Sequence, residues 1–67
     1  MRKAEFYVPT EVTEEFSDEM VGRKLTGIIT GTSTDGEIVI EIDYEKSQTN
    51  AVDELEKILD HLIERLE

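Results

Sequence analysis

Residues 25–44 read LTGIITGTSTDGEIVIEIDY, and the arrangement of the other elements depends on the structure that they form. Two runs rich in β-branched residues lie on either side of Asp35 and Gly36, a pair preferred in two-residue type I′ turns. The stretch is therefore predicted to form an antiparallel β-hairpin whose register is set by the turn. In that register the opposing pairs are Thr34 with Glu37, Gly31 with Ile40, and Ile29 with Ile42.

The predicted turn sorts the hairpin side chains onto two chemically different faces, because side chains alternate along a strand. The apolar face collects Leu25, Ile29, Ile38, Ile40, Ile42 and Tyr44, with Gly27 and Gly31 among them. The opposite face carries threonines on the first strand and an acidic ladder on the second, which consists of Glu37, Glu41, Asp43 and Glu45. The two glycines are expected to let a covering helix, or the ring of Tyr44, approach the sheet closely.

Two further elements are predicted before the hairpin. Residues 3–8 alternate between apolar and polar side chains, which indicates a half-buried strand that stops at Pro9. Apolar side chains then recur every four residues, at Val12, Phe16 and Met20. This spacing favours a short helix over residues 11–21, closed by Gly22. An irregular loop stays open as the alternative for this segment.

The last segment is predicted to be a long amphipathic helix from an N-cap at Asn50 to about Leu66. Its apolar face consists of Ala51, Val52, Leu55, Ile58, Leu59, Leu62, Ile63 and Leu66. At about 100° per residue, these side chains span roughly 140° of the helix surface. Part of this arc is expected to cover the apolar face of the hairpin, and the remainder to contact the first helix or a second copy of the chain.

The predicted fold class is therefore α+β, a single domain over residues 1–67. A small antiparallel sheet, made of the N-terminal strand and the hairpin, is covered on one face by the long C-terminal helix. The order of elements is β-(α)-β-β-α. The position of the first strand within the sheet is left open, because either hairpin strand offers it an edge.

Composition excludes several classes of function. Seventeen acidic residues oppose seven basic ones, which gives a formal net charge of −10. Without a cluster of lysine and arginine, neither direct nucleic-acid binding nor docking on an anionic membrane is expected. Cysteine is absent, which removes disulfides and thiolate chemistry. No signal peptide or membrane-spanning run is recognised, so a cytoplasmic location is expected.

Few side chains are available to build a catalytic or metal site. His61 is the single histidine, and on a helical wheel it points away from the apolar arc, so a solvated surface position is expected. An EF-hand calcium loop centred on Gly36 would need ligands at Gly31 and Ile42, which lack side-chain oxygens. No catalytic residue, cofactor-binding residue or metal ligand is assigned, no cofactor is expected, and the protein is predicted not to be an enzyme.

The leading functional hypothesis is a protein–protein interaction module that acts as a homodimer. A domain of this length buries only about 60% of the surface that its unfolded chain exposes. Small domains usually supplement such a core with disulfides, a metal or a partner subunit. The predicted contact residues of the dimer are Leu55, Ile58, Leu59, Leu62, Ile63 and Leu66.

The alternative hypothesis is an acidic inhibitor that imitates nucleic acid and occupies a basic groove of another protein. Residues two apart on a strand are separated by about 6.6–6.8 Å, so the acidic ladder would present a line of negative charge to a basic partner. The same pattern is also typical of a solvated sheet face whose charges discourage aggregation.

Overall fold

Three β-strands and two α-helices make up the structure, a computed structural model that describes residues 2–66. In chain order they are β1 (Arg2–Val8), α1 (Thr13–Gly22), β2 (Thr26–Thr32), β3 (Ile38–Tyr44) and α2 (Thr49–Leu66). Short 3-10 turns, Thr10–Val12 and Lys46–Gln48, precede the two helices. The predicted α+β class and the β-α-β-β-α order are both confirmed.

The strand β3 is the central strand of the sheet, whose order is β1-β3-β2. Both neighbours pair with β3 in the antiparallel sense. In β1, Phe6 lies opposite Ile40 and Val8 lies opposite Ile38. The N-terminal strand therefore pairs with the second strand of the hairpin, which settles the choice that the sequence left open.

The hairpin turn is longer than the predicted two-residue turn. The Ser33 N–H donates to the Glu37 carbonyl at 2.8 Å, and the Gly36 N–H donates to the Ser33 carbonyl at 3.0 Å. Gly36 has a φ of 85°. These features describe a type I turn followed by a left-handed glycine, which needs a positive φ at one position only. The predicted opposition of Thr34 and Glu37 is therefore wrong.

A β-bulge in β2 changes the register a second time. The shift occurs between Ile29 and Gly31. Ile29 consequently lies opposite Ile40 rather than the predicted Ile42, and Gly31 lies opposite Val39 rather than Ile40. Because the longer turn and the bulge each shift the pairing by one residue, residues before the bulge keep their predicted face. Gly31 moves to the opposite face.

The hydrophobic core fills the space between the sheet and the two helices. It consists of Phe6, Val8, Val12, Phe16, Leu25, Ile40, Ile42, Val52, Leu55, Leu59 and Leu62. Phe16 of α1 is fully buried, and its ring centroid lies 5.4 Å from that of Phe6. The segment left open between helix and loop is thus a 3-10 turn that leads into a helix, and this helix covers part of the sheet.

The two helices divide the inner face of the sheet between them. The helix α1 contacts β2, α2 contacts β1, and the helices also contact each other. The α2 helix begins at Thr49, so the predicted N-cap, Asn50, lies inside it. The cap belongs instead to the preceding turn, where the Glu45 N–H donates to the Gln48 Oε1 at 2.8 Å.

A helix approaches the sheet closely at Gly27. A Cβ atom on this residue would lie 2.8 Å from the Met20 sulfur and 2.9 Å from Cγ2 of Ile40. The element that comes close is therefore α1, and not α2 or the Tyr44 ring as the sequence predicted. At Gly31 a Cβ atom would have no neighbour within 4 Å, so that glycine serves no close contact.

We expect Gly27→Ala to lower the free energy of unfolding by about 1–2 kcal/mol, because an added methyl group overpacks the site between Met20 and Ile40. Urea denaturation measures the change. The control is Gly22→Ala in α1, where a Cβ atom meets nothing within 4 Å. Gly22 is the last residue of α1, where helix propensity contributes less than in the interior, so this control is expected to gain at most about 0.5 kcal/mol. Equal effects of the two alanines would contradict the close approach.

Candidate interaction surfaces

The residues predicted to contact a second copy fall into two groups on α2. Three of them are buried in the core of the single chain: Leu55, Leu59 and Leu62. The other three are half-buried or exposed: Ile58, Ile63 and Leu66. The wide apolar arc is thus largely occupied by the sheet and by α1. A partner reaches only the second group unless the core opens.

The outer face of the sheet is the face turned away from the core. Cross-strand pairing assigns to it Lys3, Glu5 and Tyr7 of β1, Val39, Glu41 and Asp43 of β3, and Thr26 and Ile28 of β2. Glu5 lies directly opposite Glu41, and like charges in this position destabilise a sheet. Lys3 relieves the repulsion by donating to a Glu41 oxygen at 3.3 Å.

Tyr7 contributes a second polar contact on the outer face. Its hydroxyl donates to a Glu5 carboxylate oxygen at 3.0 Å. This hydrogen bond and the charge of the same carboxylate raise the pKa of Tyr7. This contact lies within β1, where residues two apart share a face. The Lys3–Glu41 contact, in contrast, depends on β1 lying beside β3, which the sequence did not predict.

The four carboxylates of the acidic ladder have different environments. Glu41 and Asp43 lie in β3 and are half-buried, and Glu41 is already paired with Lys3. Glu37 lies in the connection before β3, and Glu45 belongs to the capping box before α2. A uniform line of free carboxylates is therefore not formed by these residues. Imitation of nucleic acid by this ladder stays a prediction, without support from the geometry.

Among the side chains of residues 2–66, one buried oxygen has no hydrogen-bond partner. This atom is Oδ1 of Asp43. Its neighbours on the adjacent strands are Lys3 and Thr26. A buried polar atom without a partner costs about 1–3 kcal/mol of stability. We therefore expect Asp43 to lower the stability of the sheet.

We expect Asp43→Thr to raise the free energy of unfolding by about 0.5–2 kcal/mol, because threonine removes the orphaned carboxylate and suits a strand. Urea denaturation at neutral pH measures the gain. Asp60→Asn, on an exposed position of α2, removes one negative charge without touching the sheet. If the free energy of unfolding rose equally in the two variants, the cause would be the smaller net negative charge and not the environment of Asp43.

The strand β2 is the most exposed element of the sheet and forms one of its two edges. Six of its seven residues are exposed, and the exposed fractions of Ile28 and Ile29 are 60% and 64%. Residues 25–34 contain no charged side chain, although 36% of the chain is charged. The other edge strand, β1, carries three charged residues and is followed by a proline. These features protect β1 from pairing with another strand, whereas β2 has only its bulge.

A groove of about 460 Å³ lies between α1 and α2. It is lined by Glu15, Asp18, Glu19, Ile58, His61, Leu62 and Arg65. Ile58 and Leu62 are the less exposed apolar members of this set and form the floor. The other members are polar or charged and form the rim. His61 is exposed, as expected for a surface residue.

Two arginines form ion pairs that connect α1, or the residue after it, with α2. Arg65 of α2 donates to a Glu15 oxygen of α1 at 3.0 Å. Arg23, at the end of α1, contacts Glu19 at 2.8 Å and Glu54 of α2 at 3.3 Å. The sequence did not predict the groove, because its walls depend on how α1 packs against α2.

Residues 2–66 contain no group of three or more histidine, aspartate or glutamate side chains placed to hold a metal ion. Among the same residues, no helix is both long and apolar enough to span a membrane. Comparison of the chain with known protein families, with curated proteins and with solved structures finds no match in any of the three.

Proposed function

We propose that this chain is a non-enzymatic protein–protein interaction module that acts as a homodimer through the free edge of β2. The observation that carries the proposal is an uncharged edge strand with two exposed isoleucines, in a chain of net charge −10. Pairing of two such strands would extend the three-stranded sheet across the interface.

The favourable free energy of dimerisation would come from backbone hydrogen bonds and from the burial of the two isoleucines. An edge strand presents unpaired N–H and C=O groups, which a second strand can satisfy. The pairing would cover part of Ile28 on the outer face and part of Ile29 on the inner face, and burial of apolar surface stabilises association. It also enlarges the core of a domain that is small for independent stability.

A second copy of the chain suits this edge because of charge. Two chains of net charge −10 repel each other, and the repulsion is weakest where the contacting strands carry no charge. The exposed part of α2 is a less favourable contact. Leu66 there is 45% exposed, but its neighbours Glu64 and Arg65 are charged and exposed.

The dimer should be weak and should respond to salt in a defined direction. An interface made of one short strand from each copy lies at the small end of specific interfaces, below about 1,200 Å². Salt screens the repulsion between the two acidic chains over a Debye length of about 8–10 Å. Raising the salt concentration should therefore tighten the dimer.

Sedimentation equilibrium over about 10 μM to 1 mM, the range in which small interfaces associate, tests the proposal. The wild-type chain is expected to dimerise, and Ile28→Lys to be monomeric because it places a charge on the paired edge. Residue 28 lies opposite Glu41, so the introduced lysine gains an attractive partner and should not unfold the monomer.

Leu66→Lys is the matched control, since it places the same charge on the exposed end of α2. It should leave the dimer intact. A wild-type chain that stays monomeric throughout the concentration range would refute the proposal. Loss of the dimer in Leu66→Lys but not in Ile28→Lys would move the contact to α2, as the sequence predicted.

A further inference from the structure

We propose that the groove between α1 and α2 is a docking site for a cationic peptide segment that carries one apolar anchor side chain. The groove is lined by helical residues only, whereas the proposed dimer uses β2. This proposal therefore goes beyond the dimer and does not depend on it.

The floor of the groove supplies a place for the anchor. Leu62 is 5% exposed and Ile58 is half-buried, so both present apolar surface at the base of a concave site. A volume of about 460 Å³ lies within the range of about 300–1,000 Å³ that is typical of ligand pockets. An aliphatic side chain placed there would be shielded from water on the side that faces the two helices.

The rim supplies the charge complementarity. It carries three carboxylates and one guanidinium, with the His61 imidazole beside them. Two of the carboxylates are engaged within the chain, Glu15 by Arg65 and Glu19 by Arg23. Asp18 is exposed and makes no ion pair with any of residues 2–66. A lysine or arginine of the partner would pair with it.

Ion pairs also connect the two helices that form the groove. Arg65 joins α2 to α1 through Glu15, and Arg23 joins the end of α1 to Glu54 of α2. Because both helices also pack on the shared core, they do not have to be ordered when a ligand arrives, and such preorganisation favours affinity. The net charge of −10 attracts cationic segments from a distance and raises their rate of encounter.

Three synthetic peptides test the site. The first contains lysines and arginines around a single central leucine, the second has serine in place of that leucine, and the third has glutamine in place of every cation. Each is titrated into the ¹⁵N-labelled full chain. The first should shift the amide signals of residues 58–65 and bind more weakly as salt rises. The second and third should bind at least about fivefold more weakly.

A pair of charge reversals tests the position of the site. Asp18→Lys should raise the Kd of the leucine peptide by about fivefold to thirtyfold, because it replaces an attraction by a repulsion. Asp60→Lys makes the same change of net charge on an exposed residue of α2 outside the groove. It should raise the Kd by no more than about twofold. Unchanged amide spectra would confirm that both variants are folded.

Three outcomes would overturn the proposal: no peptide binds, the serine peptide binds as tightly as the leucine peptide, or the two charge reversals have equal effects. The dimer is scored separately by sedimentation. A chain that remains monomeric but selects the leucine peptide would refute the dimer and support the groove. A chain that dimerises through β2 but does not bind the peptides would support the dimer and refute the groove.

Discussion

The structure depends on β3 being paired on both sides and covered on one face. Its inner side chains, Ile40 and Ile42, are buried, and its two edges are occupied by β1 and β2. Both flanking strands take their register from β3, and the helices pack on the surface that the three strands build together. A change in the pairing of β3 would therefore alter every surface at once.

The central position of β3 affects the stability of the outer face of the sheet. Because β3 lies between two strands, its outward carboxylates are brought close to neighbouring side chains. Glu41 faces Glu5, and Asp43 keeps one oxygen buried without a partner among residues 2–66. A carboxylate that would be harmless on a free strand becomes destabilising when a neighbour removes it from water. The acidic ladder is thus part of the balance of sheet stability as well as a feature of the surface.

Local patterns in the sequence were sufficient to predict the elements, but not the pairing between them. Alternation identified β1 and β3, and the four-residue spacing around Phe16 identified α1. The Asp35-Gly36 pair predicted a turn correctly but fits two turn types, which differ by one residue in length. Gly31, next to the bulge, fits a bulge as well as the close approach that was predicted from it. The first turn of α2 was also misplaced, because Glu45 and Gln48 cap it through a short 3-10 turn.

Surfaces proved harder to predict than elements, for a physical reason. Whether an apolar side chain faces a core or a partner depends on which other element covers it, and that is a property of the tertiary packing. The apolar arc of α2 is wide because two elements of the same chain cover it, the sheet and α1. Ile29 was predicted to lie on the covered apolar face. It does lie on that face, opposite Ile40, yet it is exposed, as is Ile28, because β2 lies at an edge.

The two proposed surfaces place opposite demands on the charge of the chain. Dimerisation through β2 brings two acidic molecules together, so it is favoured when salt screens their repulsion. Docking of a cationic segment between α1 and α2 relies on the attraction that salt weakens. The uncharged edge and the acidic groove can coexist because the sheet and the helices keep them on different elements. If both proposals hold, low ionic strength would favour the cationic partner and high ionic strength would favour self-association.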